Sequence, residues 1–405
     1  MTHKLARLLL IGFISLCMFF EVSLSLLFAT RTASSTARHS SASRTRKTAN
    51  RKTKTVAKST KSARTRSTRT AVARRRRIRP LKPVDPTIGD NPLGEDPVIR
   101  SAAVEALGKI DGSIVVVDPS NGRILTMVNQ KVALGSGYQP CSTFKLAITL
   151  AGLSEGVFSK DSEFRCPSRG YLNFTDAFAY SCNDYFQNVG QRLGFDRVKT
   201  YAKQFGFGEL AGYNIKGEHT GIFPNEISDN YIRLLSSHGM FIEATPLEMA
   251  ALASAIANGG TLYYLQYPRK DVEINAFEPR IKRKLEISAL LPDLKEGMSG
   301  SVTYGSGRRA YDPLEPVYGK TGSCSDQGHH LGWFVSYAGD SDRKLVAVVL
   351  IRWAVNTEGP YAAMVAGRFY RELSQQNYFV RRDFKLTSTS ANTGETAPVG
   401  RSNLR

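Results

Sequence analysis

The sequence predicts an α+β fold in which strands from the two ends of the folded region sit beside an inserted helical lobe. Near the start, residues 112–128 (GSIVVVDPSNGRILTMV) read as two apolar strands joined by a turn at Asp118–Gly122. Near the end, Leu331–Ala338 and Leu345–Trp353 read as a second hairpin around a polar turn. Between them, from Ser142 to about Gly239, apolar residues recur mostly at helical spacing.

Taken in chain order, the folded part begins near Asp96 after a Pro-rich approach (Pro80, Pro83, Pro86, Pro92), and Val98–Leu107 has helical spacing. The first hairpin follows, then the helical stretch opening at Ser142. Thr245–Asn258 (TPLEMAALASAIAN) carries its own boundary signals. Thr245 is a good N-cap, Pro246 suits the first helical position, and Gly259-Gly260 ends the helix. Val317–Ser323 has strand character, the second hairpin comes next, and Tyr361–Leu373 is helical. The sequence contains no internal repeat.

The 405 residues are 41% hydrophobic, ordinary for a globular core, whereas a net charge of +20 is not ordinary. Residues 31–82 hold 19 Lys and Arg with no Asp or Glu, and the first 30 residues carry a net +1, so the chain from Pro83 onward is neutral. The basic segment has no aromatic residue and few large apolar ones, so it cannot bury enough surface to offset the entropy of ordering. It is expected to be a disordered linker, either simply solvated or also resting on anionic lipid or wall polymer. Nucleic acid is not expected as a partner, because of what flanks the segment. Before it, Leu8–Ala29 is a 22-residue apolar stretch interrupted only by Glu21, long enough to cross a hydrocarbon core. A cleaved signal peptide would have a shorter apolar run with small residues at −3 and −1 of the cut. Leu27 at −3 of Ala29 fits this poorly, and Ser23-Leu24-Ser25 leaves apolar residues behind, so an uncleaved anchor is expected. The basic run after the span opposes the positive-inside tendency if the rest is exported. The chemistry of the motifs below argues for export nonetheless.

Cys17 lies in the apolar stretch; Cys141, Cys166, Cys182 and Cys324 lie beyond it. Four cysteines in a domain of this size are not a disulfide framework, and their spacing suits no metal. They are expected to pack as small, semi-apolar residues beside a site, with a redox-labile pair as the alternative. No metal or cofactor is expected.

Three short motifs carry the chemistry. Ser142-Thr143-Phe144-Lys145 follows Pro140 and precedes an apolar run, which places Ser142 at a helix start with Lys145 on the same face. A serine hydroxyl is a poor nucleophile without a base, and a lysine of lowered pKa can be that base. Ser181-Cys182-Asn183 offers Ser181 as a proton relay between two lysines and Asn183 for a substrate amide. Lys320-Thr321-Gly322-Ser323 lies in an expected strand. Lys320 supplies positive charge for a carboxylate, Gly322 lets a substrate backbone approach, and the N–H of Ser323 joins that of Ser142 in an oxyanion hole. Each motif alone is common and most often a surface pair, a cap or a loop. Their order is the strong signal.

Ser-x-x-Lys, then Ser-x-Asn, then Lys-Thr-Gly, on helix, loop and strand, resembles the signature shared by penicillin-binding proteins and serine β-lactamases. The likeness extends to VVVDPSNGRILTMVN, GYQPCSTFKLAITLAGLSEG, LNFTDAFAYSCNDYF, ATPLEMAALASAIANGG and VYGKTGS with LGWFVSYA, covering roughly residues 97–375. The resemblance implies a five-stranded antiparallel sheet flanked by helices with an all-helical lobe. It implies an extracytoplasmic serine acyltransferase of a bacterial cytoplasmic membrane, acting on peptidoglycan stem peptides ending in D-Ala-D-Ala and acylated by β-lactams. Catalytic roles fall to Ser142, Lys145, Ser181 and Lys320, and substrate binding to Asn183, Thr321, Gly322 and Ser323. The implied organisation is a cytoplasmic tip and single transmembrane anchor at 1–30, the basic linker at 31–95, a transpeptidase domain at 96–376 and a disordered tail at 377–405. About 65 residues between anchor and domain leave no room for a glycosyltransferase or a pedestal. A D,D-carboxypeptidase, a class D-type β-lactamase and a non-enzymatic β-lactam sensor remain as rivals, Asn183 weighing against the β-lactamase.

Two departures stand out. The family usually has Gly where Cys141 stands, and Thr-Ala where Ser323-Cys324 stands. Both swaps keep side chains small and bring oxidisable sulfur to the rim. His329-His330 and His238 are expected to be structural, and Gly305-Ser306-Gly307 lacks the Lys-Ser/Thr of a phosphate loop.

Overall fold

The computed structural model describes residues 83–326, 329–339, 344–352 and 359–379, all within the compact unit Arg75–Arg405. The apolar stretch at 8–29, the basic segment and residues 380–405 lie outside the described residues. No described helix is long and apolar enough to cross a membrane.

The strands are β1 (Gly112–Asp118), β2 (Arg123–Val128), β3 (Phe164–Cys166), β4 (Gly170–Leu172), β5 (Thr261–Tyr264), β6 (Arg280–Lys284), β7 (Val317–Asp326), β8 (His329–Ala338) and β9 (Leu345–Arg352). A five-stranded sheet runs in the order β2-β1-β9-β8-β7, with every neighbour pair antiparallel. The expected α+β class with an inserted helical lobe is what forms. Both hairpins fold as read. β1 and β9 pair in the middle, so the two ends of the folded chain close one sheet.

The near-continuous apolar run of β1 follows from burial on both faces. Val115 and Val117 enter a large core shared with the helical lobe, while Ile114 and Val116 enter a second core. The second core lies under the helices Pro97–Leu107 and Gly359–Gln375, which supply Ile99, Leu107, Phe369 and Leu373. The molecule therefore has three layers: terminal helices, sheet and lobe.

The lobe is built from the helices Lys145–Ser154, Phe174–Ala179, Asn183–Leu193, Phe195–Gln204 and Ile232–His238, broken by the hairpin β3–β4. Thr245 and Glu248 form a complete capping box for Pro246–Ala257, which is buried along its whole length. Glu248 also accepts backbone N–H bonds from Gly208 and Gly221, at 2.9 and 3.1 Å. One buried carboxylate thus fastens the loop after the lobe to that helix.

The structured region starts before Asp96. Asp90 accepts the N–H groups of Asn129 and Gln130 and pairs with Arg100 at 2.8 Å. Glu95 pairs with the same guanidinium and accepts the hydroxyl of Tyr267. Charge pairing draws in this approach, which proline content alone marks as linker. At the other end Phe379 is 1% exposed and the Tyr378 hydroxyl donates to Asp96.

Candidate active site

Ser142 lies on a turn of 3-10 helix, Cys141–Phe144, which leads into the helix Lys145–Ser154. In 3-10 geometry residues i and i+3 eclipse, so Lys145 lies directly behind Ser142. Ser142 reaches the surface, and Lys145 is completely buried. The Ser142 hydroxyl donates to the carbonyl of Ser237 at 3.4 Å. Lys145 Nζ donates to the Ser181 carbonyl at 2.9 Å and to Asn183 Oδ1 at 2.7 Å, and lies 3.1 Å from Ser181 Oγ. Among the described residues no hydrogen bond joins Ser142 Oγ to Lys145 Nζ; such bonds often tighten only when substrate is bound.

Ser181 has a left-handed backbone (φ 58°), a conformation that costs a non-glycine residue about 1–2 kcal/mol. That bend turns both its carbonyl and its hydroxyl onto Lys145. Asn183, two residues on, opens the helix Asn183–Leu193.

β7 is an edge strand and forms the facing wall. Lys320 is fully buried, with Nζ 3.0 Å from the Thr321 carbonyl and 5.5 Å from the centre of the Phe178 ring. Burial lowers the Lys320 ammonium to about 7. Lys145 is held well below the ordinary lysine range, by burial first and then by the charge of Lys320. Thr321 Oγ1 is 2.6 Å from Ser306 Oγ, and Ser323 Oγ accepts the N–H of Gly359 at 2.6 Å.

Ser142, Ser181, Asn183, Ser306, Thr321 and Ser323 line one open cleft of about 410 Å³. The two lysines stand behind its wall. Gly322 is placed differently from expectation. A Cβ there would lie 2.9 Å from the Pro140 carbonyl and 3.1 Å from Thr143 Cγ2. The glycine lets β7 press against the turn Cys141–Phe144, and it does not line the cleft. Sequence reasoning missed Ser306, for which no motif exists, and His238, whose Nε2 lies 3.2 Å from Asn183 Nδ2.

The cysteine expectation requires correction. Cys141 is bonded to Cys324, and Cys166 to Cys182. The first pair is separated by 183 residues, so spacing carried no trace of it. It ties the residue before Ser142 to the residue after Ser323. Cys141 also has φ 53°, the left-handed region that the family's usual glycine enters freely.

A serine backed by two buried lysines and faced by an edge strand is an arrangement that can support acyl transfer. A model of the penicillin binding protein transpeptidase domain matches residues 112–371, and the chain belongs to that family. It is 28% identical over 315 residues to Stage V sporulation protein D of Bacillus subtilis, covering 65% of this chain and 49% of that protein. It is 25% identical over 376 residues to peptidoglycan D,D-transpeptidase MrdA of Acinetobacter baumannii, covering 73% and 56%. The chain thus spans about half the length of these curated relatives. The D,D-transpeptidase domain of a peptidoglycan glycosyltransferase from Eggerthella lenta superposes with a TM-score of 0.60 at 24% identity, covering 70% of this chain and 82% of that one.

Proposed function

We propose that this protein is a serine D,D-transpeptidase that cross-links peptidoglycan stem peptides ending in D-Ala-D-Ala. The observation that carries the reading is the convergence of Ser142, Ser181, Asn183 and Thr321 on one cleft backed by two lysines of lowered pKa, Lys145 and Lys320. Ser142 Oγ attacks the carbonyl of the penultimate D-Ala while Lys145, its charged form disfavoured by burial and by Lys320, takes its proton. The two N–H bonds to Ser181 and Asn183 leave the amine one lone pair, flanked by the Ser181 hydroxyl. The backbone N–H groups of Ser142 and Ser323 hold the oxyanion. As the C–N bond to the leaving D-Ala breaks, Ser181 gives its hydroxyl proton to that nitrogen and is reprotonated from Lys145, with Lys320 supporting the relay. The carboxylate of that D-Ala lies against Thr321 and Ser323 in the field of Lys320. Asn183 holds the substrate amide, and Gly322 serves the site by seating β7. An amine of a neighbouring stem peptide then attacks the acyl-enzyme and gives up a proton to Lys145, which returns it to Ser142 Oγ as the ester breaks and the cross-link amide forms. β-Lactams acylate the same oxygen.

The apolar stretch 8–29 is proposed to anchor the chain in a bacterial cytoplasmic membrane, with the basic segment as linker over anionic lipid or wall polymer and the domain outside. Two disulfides support this placement, since such bonds persist in oxidising compartments and are rare in cytoplasm. Incubation with fluorescent penicillin tests the site: the protein takes covalent label and Ser142→Ala takes none. Label on the variant would sink the nucleophile assignment. Release of label within seconds indicates a β-lactamase. With stem peptide and an acceptor amine, cross-linked product identifies the transpeptidase, and D-Ala release without cross-links identifies a carboxypeptidase.

A further inference from the structure

His238 ends the helix Ile232–His238 and stands half-buried behind Asn183. The polarity of its hydrogen bonds is set from a backbone carbonyl, which can only accept. Ser237 has one hydroxyl proton, donated to the Arg233 carbonyl at 2.7 Å. Gln187 supports that direction. Its Oε1 accepts two bonds from the Arg233 guanidinium, at 3.2 and 3.0 Å, which turns its Nε2 towards Ser237 Oγ at 3.4 Å. Ser237 Oγ is therefore an acceptor for His238 Nδ1–H, 2.7 Å away. With the proton on Nδ1, Nε2 holds a lone pair and accepts from Asn183 Nδ2 at 3.2 Å. The Asn183 amide is then turned so that Oδ1 meets Lys145 Nζ at 2.7 Å.

We propose that His238 is a positioning residue for acylation: as the neutral Nδ1–H tautomer it holds the Asn183 amide with its oxygen on Lys145. The inference rests on the acyl-transfer reading above. An asparagine amide is nearly symmetrical in shape, so packing alone does not select its orientation. In the flipped orientation the Asn183 NH₂ would donate into the Lys145 lone pair, the electron pair that must take the Ser142 proton. Neutral His238 forbids the flip because Nε2 cannot donate. Protonated His238 invites it, because both ring nitrogens then donate and Nε2–H needs the amide oxygen.

The elements packed closely on this helix carry Lys145, then Asp184, Tyr185 and Arg192 on Asn183–Leu193, and Asp229 and Tyr231 on the preceding turn. Arg233 is on the helix itself. Of these, Lys145 is the group whose charge bears on the ring. Burial first, and that charge second, push the imidazole below its ordinary value, which favours the neutral form. Protonation of Lys145 and of His238 both stop acylation, by separate routes.

The acylation rate constant at saturating fluorescent penicillin, measured against pH on the full protein, tests this. Wild type should lose rate on the acid side with a slope approaching two in log rate against pH. His238→Ala should be slower by about 10- to 100-fold at neutral pH, with initial binding of the β-lactam little changed. His238→Gln, which places an amide oxygen where Nε2 stood and does not titrate, should recover most of that loss with an acid slope of one. Wild-type rates in His238→Ala would overturn the proposal, as would a His238→Gln enzyme as slow as the alanine variant. Side-chain 15N spectra give a readout independent of activity: the Nδ1–H tautomer is expected for His238, and the Nε2–H tautomer overturns the proposal. If wild type takes no label, the acyl-transfer reading fails on its own and the tautomer still decides the positioning.

Discussion

Replacing Cys141 and Cys324 together by alanine removes the covalent tie between the nucleophile turn and β7. The bond closes a loop with a sequence separation of 183, and a chain-entropy estimate for that loop gives about 5 kcal/mol. The same estimate for Cys166–Cys182, with a separation of 16, gives about 3 kcal/mol. For a domain of this size, about 5 kcal/mol corresponds to a fall in Tm of roughly 10–20 °C. The alanine at 141 also keeps the left-handed backbone, so C141G/C324A should recover about 1 kcal/mol relative to C141A/C324A. The Cys141–Cys324 bond flanks both proposed oxyanion donors, Ser142 and Ser323, so penicillin acylation should slow in its double variant beyond the loss of folded protein. Thermal melting with and without reductant, for wild type and for each double variant, supplies the measurement. The reasoning is refuted if C141A/C324A melts with wild type, or if the short-loop pair proves the more stabilising of the two.

Three further variants have expected outcomes. Gly322→Ala drives a Cβ to 2.9 Å from the Pro140 carbonyl, so β7 must move off the nucleophile turn. Its Tm should fall by an amount worth about 1–3 kcal/mol, and labelling should slow by about 10-fold or more. Lys320→Met should raise stability by about 1–2 kcal/mol while slowing acylation, because a buried ammonium is exchanged for an apolar chain. The folded pKa of Lys320, near 7, lies below the unfolded value of 10.5. The unfolded state therefore binds more protons between those values, and wild-type stability should rise across that window while the variant lacks this term. Glu248→Gln should cost about 1–3 kcal/mol by setting an NH₂ against a buried N–H. Glu248 is raised to about 7 by burial, so its contribution falls as pH rises from 4.5 to 7, and urea unfolding of the variant should lack that slope.

Much of the fold was legible because its signals are local. Thr245 and Pro246 mark the start of their helix by backbone capping, and the apolar run of β1 reports burial on two faces. The pairing of Ser142 with Lys145 was legible for the same reason, since the two are one turn apart on any helix. His238 was read as structural because nothing adjacent in the chain marks it. Its partner Asn183 lies 55 residues away. Gly322 was assigned to the substrate because a glycine in an edge strand suggests an open approach; only packing reveals that the turn carrying Pro140 and Thr143 fills the space.

The sequence by itself determined the class of fold, the order of its elements, the family and the three motifs, all of which depend on residue type at short separation. Tertiary structure alone decided which cysteines pair, which way the Asn183 amide points and why both lysines lose their protons readily. Those properties arise where segments far apart in the chain enclose one another. Burial sets the lysine pKa, close approach sets the disulfide, and a carbonyl at Arg233 sets the polarity of a hydrogen-bond chain that ends on Lys145.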